Sequence, residues 1–363
     1  MPELYVGLMS GTSLDGVDAV LADFAGDQTH VIEHRHQAFA PALRAELLAL
    51  NHSGVDELRR AALAGNALAR EYASLVNALL AQCSAVAHTV AAVGCHGQTV
   101  RHQPADGYTI QLVNGSLLAE LTGITVICDF RSRDIAAGGE GAPLVPAFHH
   151  AVFASPEFDR VIVNLGGISN VTHLPAAAPA TGFDCGPGNV LLDACAQQHL
   201  KQPFDGDGAW ARTGKVIPGL LERLLNNVYF RRAPPKSTGR DTFNADWLAR
   251  QLTGTEAPAD VQATLLALTA TGIAEAIAKF CASAREVYVC GGGARNSSLV
   301  ELLSSHLAPR KIANTAVLGV DAEHVEALAF AWLARQTLKS RPGNLPAVTG
   351  ARGPRILGAI HPA

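Results

Sequence analysis

The chain has 363 residues, of which 48% are hydrophobic and 17% are charged, and it carries a formal net charge of −4. This length predicts two domains, and the apolar content excludes a disordered chain. The weakly negative charge and the lack of a long basic run argue against nucleic-acid binding by phosphate neutralisation.

The first half of the chain is predicted to begin with strands and to continue as mixed α/β units. Apolar runs on both sides of a polar loop predict two strands within residues 5–24, and alternation predicts a third strand in HVIEHRHQAF. Charges, a glycine cluster and Pro143 predict the domain junction in residues 131–150. The elements expected between them are a helix over Val55–Cys83, a strand over Thr89–Cys95 followed by a loop, a strand over Tyr108–Leu112, a helix over Gly115–Thr122 and a strand in GITVICDF.

The second half repeats the order of strand, glycine-rich turn and strand in RVIVNLGGISNVTHLP. A strand in TGFDCG follows, and helices are expected from Asn189 to Ala282, interrupted by the polar segment FRRAPPKSTGRDTF. EVYVC is expected to be a strand, followed by a triple-glycine turn and a helix. Residues 319–338 predict a last long helix, and RILGAI is a candidate for a final strand. Two such halves facing each other would place their glycine turns at one cleft.

Several ligand classes are not expected from the sequence. No apolar segment is long enough to predict a membrane span, and no basic region before an apolar core predicts a signal peptide. The seven cysteines are scattered without a CxxC pair, which favours buried, reduced thiols over a metal–thiolate site. We therefore expect a cytoplasmic protein that binds neither nucleic acid nor membranes. His30, His34 and His36 could bind a metal, but their alternation favours the solvated face of an edge strand.

Three glycine-rich turns are candidate phosphate or nucleotide sites. Glycine lets backbone N–H groups converge on an anion, and hydroxyl groups add donors. The first two turns, each of which is equally compatible with an ordinary hairpin, contain Gly11, Thr12, Ser13 and Gly16, and Gly166, Gly167, Ser169 and Asn170. The third, CGGGARN, precedes a predicted helix and could contact a phosphate or a nucleoside. No GxxxxGK[ST] motif occurs, so a P-loop fold is not expected.

Six charged positions are considered as candidates for chemistry. Asp184 ends a predicted strand in GFDCGPGN, where it could act as a general base or merely form a turn or an N-cap. Asp15 and Asp18 are candidate Mg²⁺ ligands, since Mg²⁺ prefers one or two carboxylates with phosphate oxygens and water. Arg131, in CDFRSRD, could bind a carboxylate or phosphate or could belong to a surface ion-pair cluster. Glu323 and Glu326, near the start of the last helix, would by default stabilise the helix dipole.

Six segments occur in a fixed order: GLMSGTSLDGVDAVL, GCHGQTVRH, CDFRSRDIAAGGEGAPLVP, VNLGGISNVT, GFDCGPGN and CGGGARN. Together they resemble the anhydro-N-acetylmuramic acid kinases, and the resemblance covers nearly the whole chain. It implies the α/β fold shared by sugar kinases, actin and heat-shock ATPases. Two actin-like ATPase domains, each a mixed five-stranded sheet flanked by helices, would then enclose an interdomain cleft. We place the first domain at residues 1–135, completed by 341–363, and the second at 136–340.

The resemblance also implies the reaction. Such enzymes use ATP and water to open the 1,6-anhydro ring of anhydro-N-acetylmuramic acid and to phosphorylate its 6-oxygen. The products are N-acetylmuramic acid 6-phosphate and ADP, in peptidoglycan recycling. ATP, Mg²⁺ and a homodimer are implied. Carried over by motif, Asp184 is the general base, Arg131 and Glu326 bind the sugar, and Asp15 and Asp18 are the metal candidates. The implied ATP-binding residues are Gly11, Thr12, Ser13, Leu14, Asp15, Gly16, Val17, Asp18, Gly166, Gly167, Gly291, Gly292 and Gly293.

Two alternatives stay open at the level of the sequence. A related sugar or acetate-type kinase with another acceptor would use the same ATP loops without a water-activating base. A non-enzymatic or filament-forming nucleotide-binding module would not need a pocket for a sugar carboxylate. The segments that contain Asp184 and Arg131 favour the kinase over the filament-forming module.

Overall fold

The computed structural model describes residues 2–11, 14–26, 29–83, 87–240 and 242–363. The strands, in chain order, are β1 (Leu4–Met9), β2 (Gly16–Asp23), β3 (His30–Ala38), β4 (Val90–Cys95), β5 (Gln98–Gln103), β6 (Tyr108–Leu112), β7 (Val126–Cys128), β8 (Arg160–Leu165), β9 (Ile168–Leu174), β10 (Thr181–Pro187), β11 (Glu286–Cys290), β12 (Lys311–Asn314) and β13 (Ala359–His361). The α-helices are α1 (Pro41–Ala49), α2 (Glu57–Gln82), α3 (Gly115–Thr122), α4 (Ser132–Ala136), α5 (Val145–Phe153), α6 (Val190–Leu200), α7 (Pro218–Leu225), α8 (Val228–Arg231), α9 (Ala245–Ala249), α10 (Pro258–Phe280), α11 (Ser297–Leu307), α12 (Val325–Leu338) and α13 (Pro346–Thr349).

The chain forms two compact units, Met1–Val152 with His324–Ala363, and Phe153–Glu323. The boundaries expected from the sequence, after residues 135 and 340, both fall inside the first unit. The long helix α12 accounts for most of the difference, because it packs against β1, β2 and β4 and so belongs with the first sheet. Its own sequence is apolar on most of its surface and does not indicate which sheet it covers.

The first unit contains a mixed sheet in the order β13-β7-β4-β1-β2-β3. Strands β1, β2 and β3 pair antiparallel, whereas β4 runs parallel to both β1 and β7. The sheet has six strands rather than the expected five, because β13 pairs antiparallel with β7 at one edge. Only residues 359–361 of the tail form this strand, and β3 forms the other edge, as predicted.

Helices α2 and α12 pack against the first sheet, and glycines decide how closely α12 approaches it. Val6 and Leu8 of β1 lie in the core formed with α2. Successive strand residues point to opposite faces, so Gly7 faces the other side, where a Cβ atom would stand 1.9 Å from the carbonyl oxygen of Ala327 in α12. A Cβ at Gly94 of β4 would lie 2.0 Å from the carbonyl oxygen of Phe330. Helix α12 therefore rests directly on the backbone of β1 and β4.

A separate two-stranded ribbon, β5 with β6, belongs to the first unit. Residues 98–103 were expected to be a loop because they are mostly polar. They form a strand because their polar side chains bond across the ribbon: the Gln111 amide donates to Thr99 Oγ1 at 3.2 Å. By contrast, helix α3 has the predicted bounds, since Asn114 caps its first turn and Gly123 ends it in the left-handed conformation.

The second unit contains a mixed five-stranded sheet in the order β10-β9-β8-β11-β12, as predicted. Strands β8, β9 and β10 pair antiparallel, and β11 runs parallel to β8 and β12. Helix α10 is, among the described helices, the one long and apolar enough to cross a membrane by length and composition, but 83% of the relevant window is buried. It is a core helix of this unit, and the expected α/β class with mixed sheets and flanking helices is confirmed.

Candidate active site

Buried polar side chains hold the start of the loop between β1 and β2. The hydroxyl of Ser10 is bonded to that of Tyr72 at 2.7 Å and donates to the carbonyl oxygen of Gly97 at 2.9 Å. The Gln98 amide donates to the carbonyl oxygen of Gly11 at 3.1 Å. Ser10, Tyr72 and Gln98 are all at most 1% exposed. Gly11 is therefore fixed from beneath by the core of the first unit.

The end of this loop is held at Leu14 and by close packing at Gly16. Leu14 adopts the left-handed conformation (φ 57°), and its carbonyl oxygen accepts a bond of 2.9 Å from Arg44. Asp15 is exposed, whereas Gly16 and Val17 are buried in β2. A Cβ atom at Gly16 would lie 2.3 Å from the carbonyl oxygen of Gln37, so glycine lets β3 approach. Thr12 and Ser13, which were predicted to bind ATP, lie outside the described residues.

Asp18 of β2 contacts two of the three histidines of β3. Its Oδ1 atom lies 3.0 Å from His34 Nε2 and 3.1 Å from His36 Nδ1. Burial alone would raise the pKa of Asp18, but the bonds from these two imidazoles outweigh it and hold the pKa below its usual value. The ring of His34 also packs on that of His324, with centroids 4.3 Å apart. Within the described residues, no group of three or more His, Cys, Asp or Glu side chains is arranged to hold a metal.

A buried imidazole orients the guanidinium of Arg131. His96 is 5% exposed, its Nδ1 atom lies 3.1 Å from the carbonyl oxygen of Ser10, and its Nε2 lies 3.2 Å from Arg131 Nε and 2.9 Å from Nη2. Burial, and then the positive charge of Arg131, lower the pKa of His96 to about 3. The ring is therefore neutral, with Nδ1–H donating to Ser10 and Nε2 accepting from Arg131. This contact joins Arg131 to the loop between β1 and β2.

The segment after Arg131 is braced by a fully buried carboxylate. Arg131 Nη1 donates to the carbonyl oxygen of Gly141 at 2.9 Å, and Asp134 Oδ2 accepts from the Gly141 amide at 2.8 Å. Asp134 Oδ1 accepts from the Asn344 amide at 2.7 Å and from the Thr349 hydroxyl at 2.8 Å. The sequence suggested Asp134 only as part of a charge cluster, and nothing local indicated its C-terminal partners.

Glu326 lies in the first turn of α12 and is half-buried in the first unit. His324 directly precedes this helix, and its ring packs on that of His34. Because His34 also contacts Asp18, the start of α12 lies close to Asp18. Glu323 belongs to the second unit, where it forms an ion pair with Arg295. The two glutamates thus have different surroundings despite their spacing in the sequence.

In the second unit, backbone hydrogen bonds join the Gly166–Gly167 turn to residues 188–190, where α6 begins. The carbonyl oxygen of Gly166 accepts from the Asn189 amide at 2.9 Å, and that of Gly167 accepts from Gly188 at 2.9 Å and Val190 at 3.0 Å. A Cβ atom at Gly188 would lie 2.3 Å from the Gly166 carbonyl oxygen. The two strand–turn segments predicted separately are therefore in direct contact.

The triple-glycine turn, Gly291–Gly293, packs against the end of β8 and against Asn189, which precedes α6. A Cβ atom at Gly293 would lie 2.8 Å from both the side-chain amide nitrogen of Asn189 and the Leu165 carbonyl oxygen. One at Gly291 (φ 81°) would lie 2.3 Å from Asn164 Oδ1. No atom stands within 4 Å of the corresponding position at Gly292. One turn of 3-10 helix, Gly292–Arg295, precedes α11. The structure thus brings two of the three predicted turns together and leaves an open face at Gly292.

Asp184 lies inside β10 rather than at its end, because the strand continues to Pro187 through a register shift between Asp184 and Gly186. The side chain is 9% exposed, and its Oδ2 atom accepts a bond of 3.0 Å from the Thr238 amide. The Asp184 amide donates to the Lys236 carbonyl oxygen at 3.2 Å, and the Tyr229 hydroxyl donates to the Asp184 carbonyl oxygen at 2.7 Å. Cys185, to which we assigned no chemistry, is buried in the core.

Sequence reasoning missed the partners of Asp184. Tyr229, Lys236 and Thr238 belong to α8 and to the interruption between α8 and α9. The signal available in the sequence was Lys236 and Thr238, close to Gly239, in a segment that also contains two prolines. Lys236 is 5% exposed, and burial lowers its pKa.

The family model and the curated relatives agree on one family. The family model described as anhydro-N-acetylmuramic acid kinase matches residues 3–363. An anhydro-N-acetylmuramic acid kinase of Nitrosospira multiformis is 56% identical over 361 residues, which cover 99% of both chains. One of Nitrosomonas europaea is 55% identical over 361 residues, again 99% of both. A solved activator of the 2-hydroxyisocaproyl-CoA dehydratase from Clostridium difficile is 14% identical over 93% of this chain and 96% of that one, with a TM-score of 0.45. The predicted resemblance is thereby confirmed, and the chain belongs to the anhydro-N-acetylmuramic acid kinase family.

Proposed function

We propose that this kinase uses ATP and water to convert anhydro-N-acetylmuramic acid to N-acetylmuramic acid 6-phosphate and ADP. Water attacks C1 of the sugar, the bond between C1 and O6 breaks, and O6 takes the electron pair. O6 then attacks the γ-phosphorus of ATP, and ADP leaves. One proton of the water is taken by a general base, and the other stays on the new C1 hydroxyl.

The observation that carries this proposal is the environment of Asp184. A nearly buried carboxylate, held at Oδ2 by one backbone amide and at its own backbone by Lys236 and Tyr229, is oriented before a substrate arrives. Orientation of this kind is what general-base catalysis requires. A kinase that phosphorylates a free hydroxyl can use such a base on the hydroxyl itself, so Asp184 supports the activation of an acceptor, and the choice of water as that acceptor rests on the family.

The glycine turns support the proposed nucleotide side. The Asn189 side chain donates to the Gly166 carbonyl oxygen at 3.2 Å and lies against Gly293, so the two turns are neighbours. The open space beside Gly292 could accept a flat base or ribose. In the first unit, we propose that residues 11–18 bind the phosphates of ATP, since glycine and loop amides suit anions. Thr12 and Ser13 are included on the basis of the family motif alone.

The sugar side rests on Arg131, with Glu326 as a second contact. The His96 imidazole and the Gly141 carbonyl oxygen hold the Arg131 guanidinium in one orientation. A guanidinium suits the planar lactyl carboxylate of the substrate. Glu326 is half-buried at the start of α12 and could accept a bond from a sugar hydroxyl.

Mg²⁺ fits one of its two candidate ligands better than the other. Asp15 offers an exposed carboxylate beside the proposed phosphate loop, and Mg²⁺ usually combines few carboxylates with phosphate oxygens and water. Asp18 Oδ1 is already contacted by His34 and His36. We therefore keep Asp15 as the proposed ligand and assign Asp18 to the support of β3 against β2. When bound, Mg²⁺ would neutralise charge on the transferred phosphate.

We further propose that the enzyme works in the cytoplasm in peptidoglycan recycling, as a homodimer. The substrate is a fragment of that polymer, and the reaction spends ATP. The compartment and the pathway follow from the proposed activity, and the homodimer is implied by the resemblance to the family.

To test the reaction, the protein is incubated with ATP, Mg²⁺ and anhydro-N-acetylmuramic acid in ¹⁸O-water. The mass of the product is then measured by mass spectrometry. We expect a phosphosugar that carries one ¹⁸O atom at C1 and none in its phosphate. A phosphosugar with an intact anhydro ring would show a kinase without the water-attack step. The absence of any phosphosugar would overturn the assignment of the substrate.

A further inference from the structure

Thr238 lies beside the carboxylate of Asp184, and its hydroxyl makes no hydrogen bond within the described residues. The amide of Thr238 donates to Asp184 Oδ2 at 3.0 Å, which brings this residue to the carboxylate. Its Oγ1 atom is buried and has no hydrogen-bond partner among the described residues. A buried hydroxyl without a partner costs free energy, whereas an apolar side chain of the same shape does not. The site therefore has an unsatisfied polar atom where a ligand would be expected.

The segment that contains Thr238 is anchored on the core of the second unit, which keeps Thr238 Oγ1 buried. The Lys236 carbonyl oxygen accepts from the Asp184 amide at 3.2 Å. The Lys236 ammonium lies 4.7 Å from the ring centre of Tyr229, 5.7 Å from that of Phe183 and 5.9 Å from that of Phe280. Cation–π contacts of this kind are strongest where water is excluded. Lys236 thus anchors the segment on the core, two residues before Thr238.

We propose that the Thr238 hydroxyl is a second catalytic group that orients the attacking water, an inference that rests on the proposed ring-opening function. The water donates one hydrogen bond to Asp184 and the other to Thr238 Oγ1, which points its lone pair at C1. As the bond from the water oxygen to C1 forms and the bond from C1 to O6 breaks, Asp184 takes one proton. The second proton stays on the new C1 hydroxyl, and Thr238 neither gains nor loses a proton.

The test compares Thr238→Val, which removes the hydroxyl and keeps the shape and the amide, with Thr238→Ser, which keeps the hydroxyl. Thr315 provides a matched control, because its Oγ1 atom is also buried without a partner among the described residues. It follows β12, at the edge of the second sheet opposite β10. The readouts are kcat, the KM values for the sugar and ATP, and the thermal midpoint, alongside the wild type and Asp184→Asn.

We expect Thr238→Val to lower kcat by about 10- to 100-fold, as the loss of one hydrogen bond to a reacting group does. Both KM values should stay within about 2-fold, because the lost interaction is made only with the reacting water. The thermal midpoint should be unchanged or higher, since an unpartnered polar atom is removed. Thr238→Ser should restore most of kcat, and Thr315→Val should match the wild type.

Four results would overturn the inference. A wild-type kcat in Thr238→Val together with an inactive Asp184→Asn removes Thr238 and leaves the proposed function standing. A raised sugar KM at unchanged kcat assigns the hydroxyl to sugar binding instead. An equal loss in Thr315→Val shows a general effect of threonine replacement. A wild-type protein that forms no labelled phosphosugar overturns the proposed function, and this inference fails with it.

Discussion

At the scale of single residues, the proposed chemistry depends on Asp184. Asp184→Asn keeps the shape of the side chain but cannot take a proton. We expect kcat for phosphosugar formation to fall by about 10²- to 10⁴-fold, the usual contribution of a general base. ATP binding, measured by calorimetry, should stay within about 2-fold because the interactions proposed for the nucleotide do not involve this side chain.

A matched control for this change is Asp246→Asn, at an exposed carboxylate in the first turn of α9. It belongs to the same unit and should keep wild-type kcat. Near-normal turnover in Asp184→Asn would assign the base to another residue.

Arg131 is the second residue with a proposed role in the site. Arg131→Met removes a charged group that His96 and Gly141 hold in place. We expect the KM for the sugar to rise by about 10- to 100-fold, in line with the loss of one hydrogen bond between charged groups. Arg133→Met, at an exposed arginine two positions further on, is the control and should leave this KM unchanged. A normal KM in Arg131→Met would exclude a contact with the substrate carboxylate.

At the scale of elements, adjacent glycines of one turn should behave differently. An added methyl group at Gly293 would lie 2.8 Å from the Leu165 carbonyl oxygen, whereas at Gly292 it meets nothing within 4 Å. We expect Gly293→Ala to destabilise the second unit by about 1–3 kcal/mol, as overpacking does. Gly292→Ala should leave stability within about 0.5 kcal/mol but raise the Kd for ATP by about 10-fold, if a nucleotide lies on this face.

Thermal unfolding and calorimetry of the two glycine variants distinguish these effects. Wild-type stability in Gly293→Ala would contradict the tight packing of this turn on β8. An unchanged Kd for ATP in Gly292→Ala would mean that the nucleotide binds elsewhere.

The elements also show which parts of the fold can be predicted from the sequence. Strands β3 and β4 and helices α2 and α3 were predicted close to their observed bounds, because their apolar periods and caps are local signals. Strand β5 was missed because it is polar and gains its stability from pairing with β6. Strand β12 and helix α1 are short and carry no strong pattern of their own.

At the scale of the whole molecule, two buried imidazoles make the stability of the first unit depend on pH. Burial lowers the pKa of His96, beside Arg131, and of His149 to about 3, below the ordinary value of 6.5. Both rings are neutral in the folded state, and the unfolded chain binds more protons as the pH falls below 6.5. Their stabilising contribution is therefore complete above pH 6.5 and is lost as the pH falls towards 3.

Each ring should reduce the free energy of unfolding by about 1.4 kcal/mol per pH unit within this window. Hydrogen-exchange protection of β1 and β4, compared between pH 7 and 4.5, measures the effect. His149→Gln should lose one ring's share of the pH dependence, whereas His52→Gln, at an exposed site, should not. Equal pH dependence in wild type and His149→Gln would contradict a neutral buried ring.

The sequence by itself determined the family, the α/β class, the glycine turns and the identities of Asp184 and Arg131 as candidates. These are properties of short segments, in which turn chemistry and apolar spacing act over a few residues. Only the tertiary structure decided what holds those candidates. Thr238 reaches Asp184 across 54 positions, and Thr349 reaches Asp134 across 215. Helix α12 joined the first unit because glycines in β1 and β4 let its backbone lie on theirs. Such contacts are chosen by burial and shape complementarity between distant segments, and no local pattern encodes them.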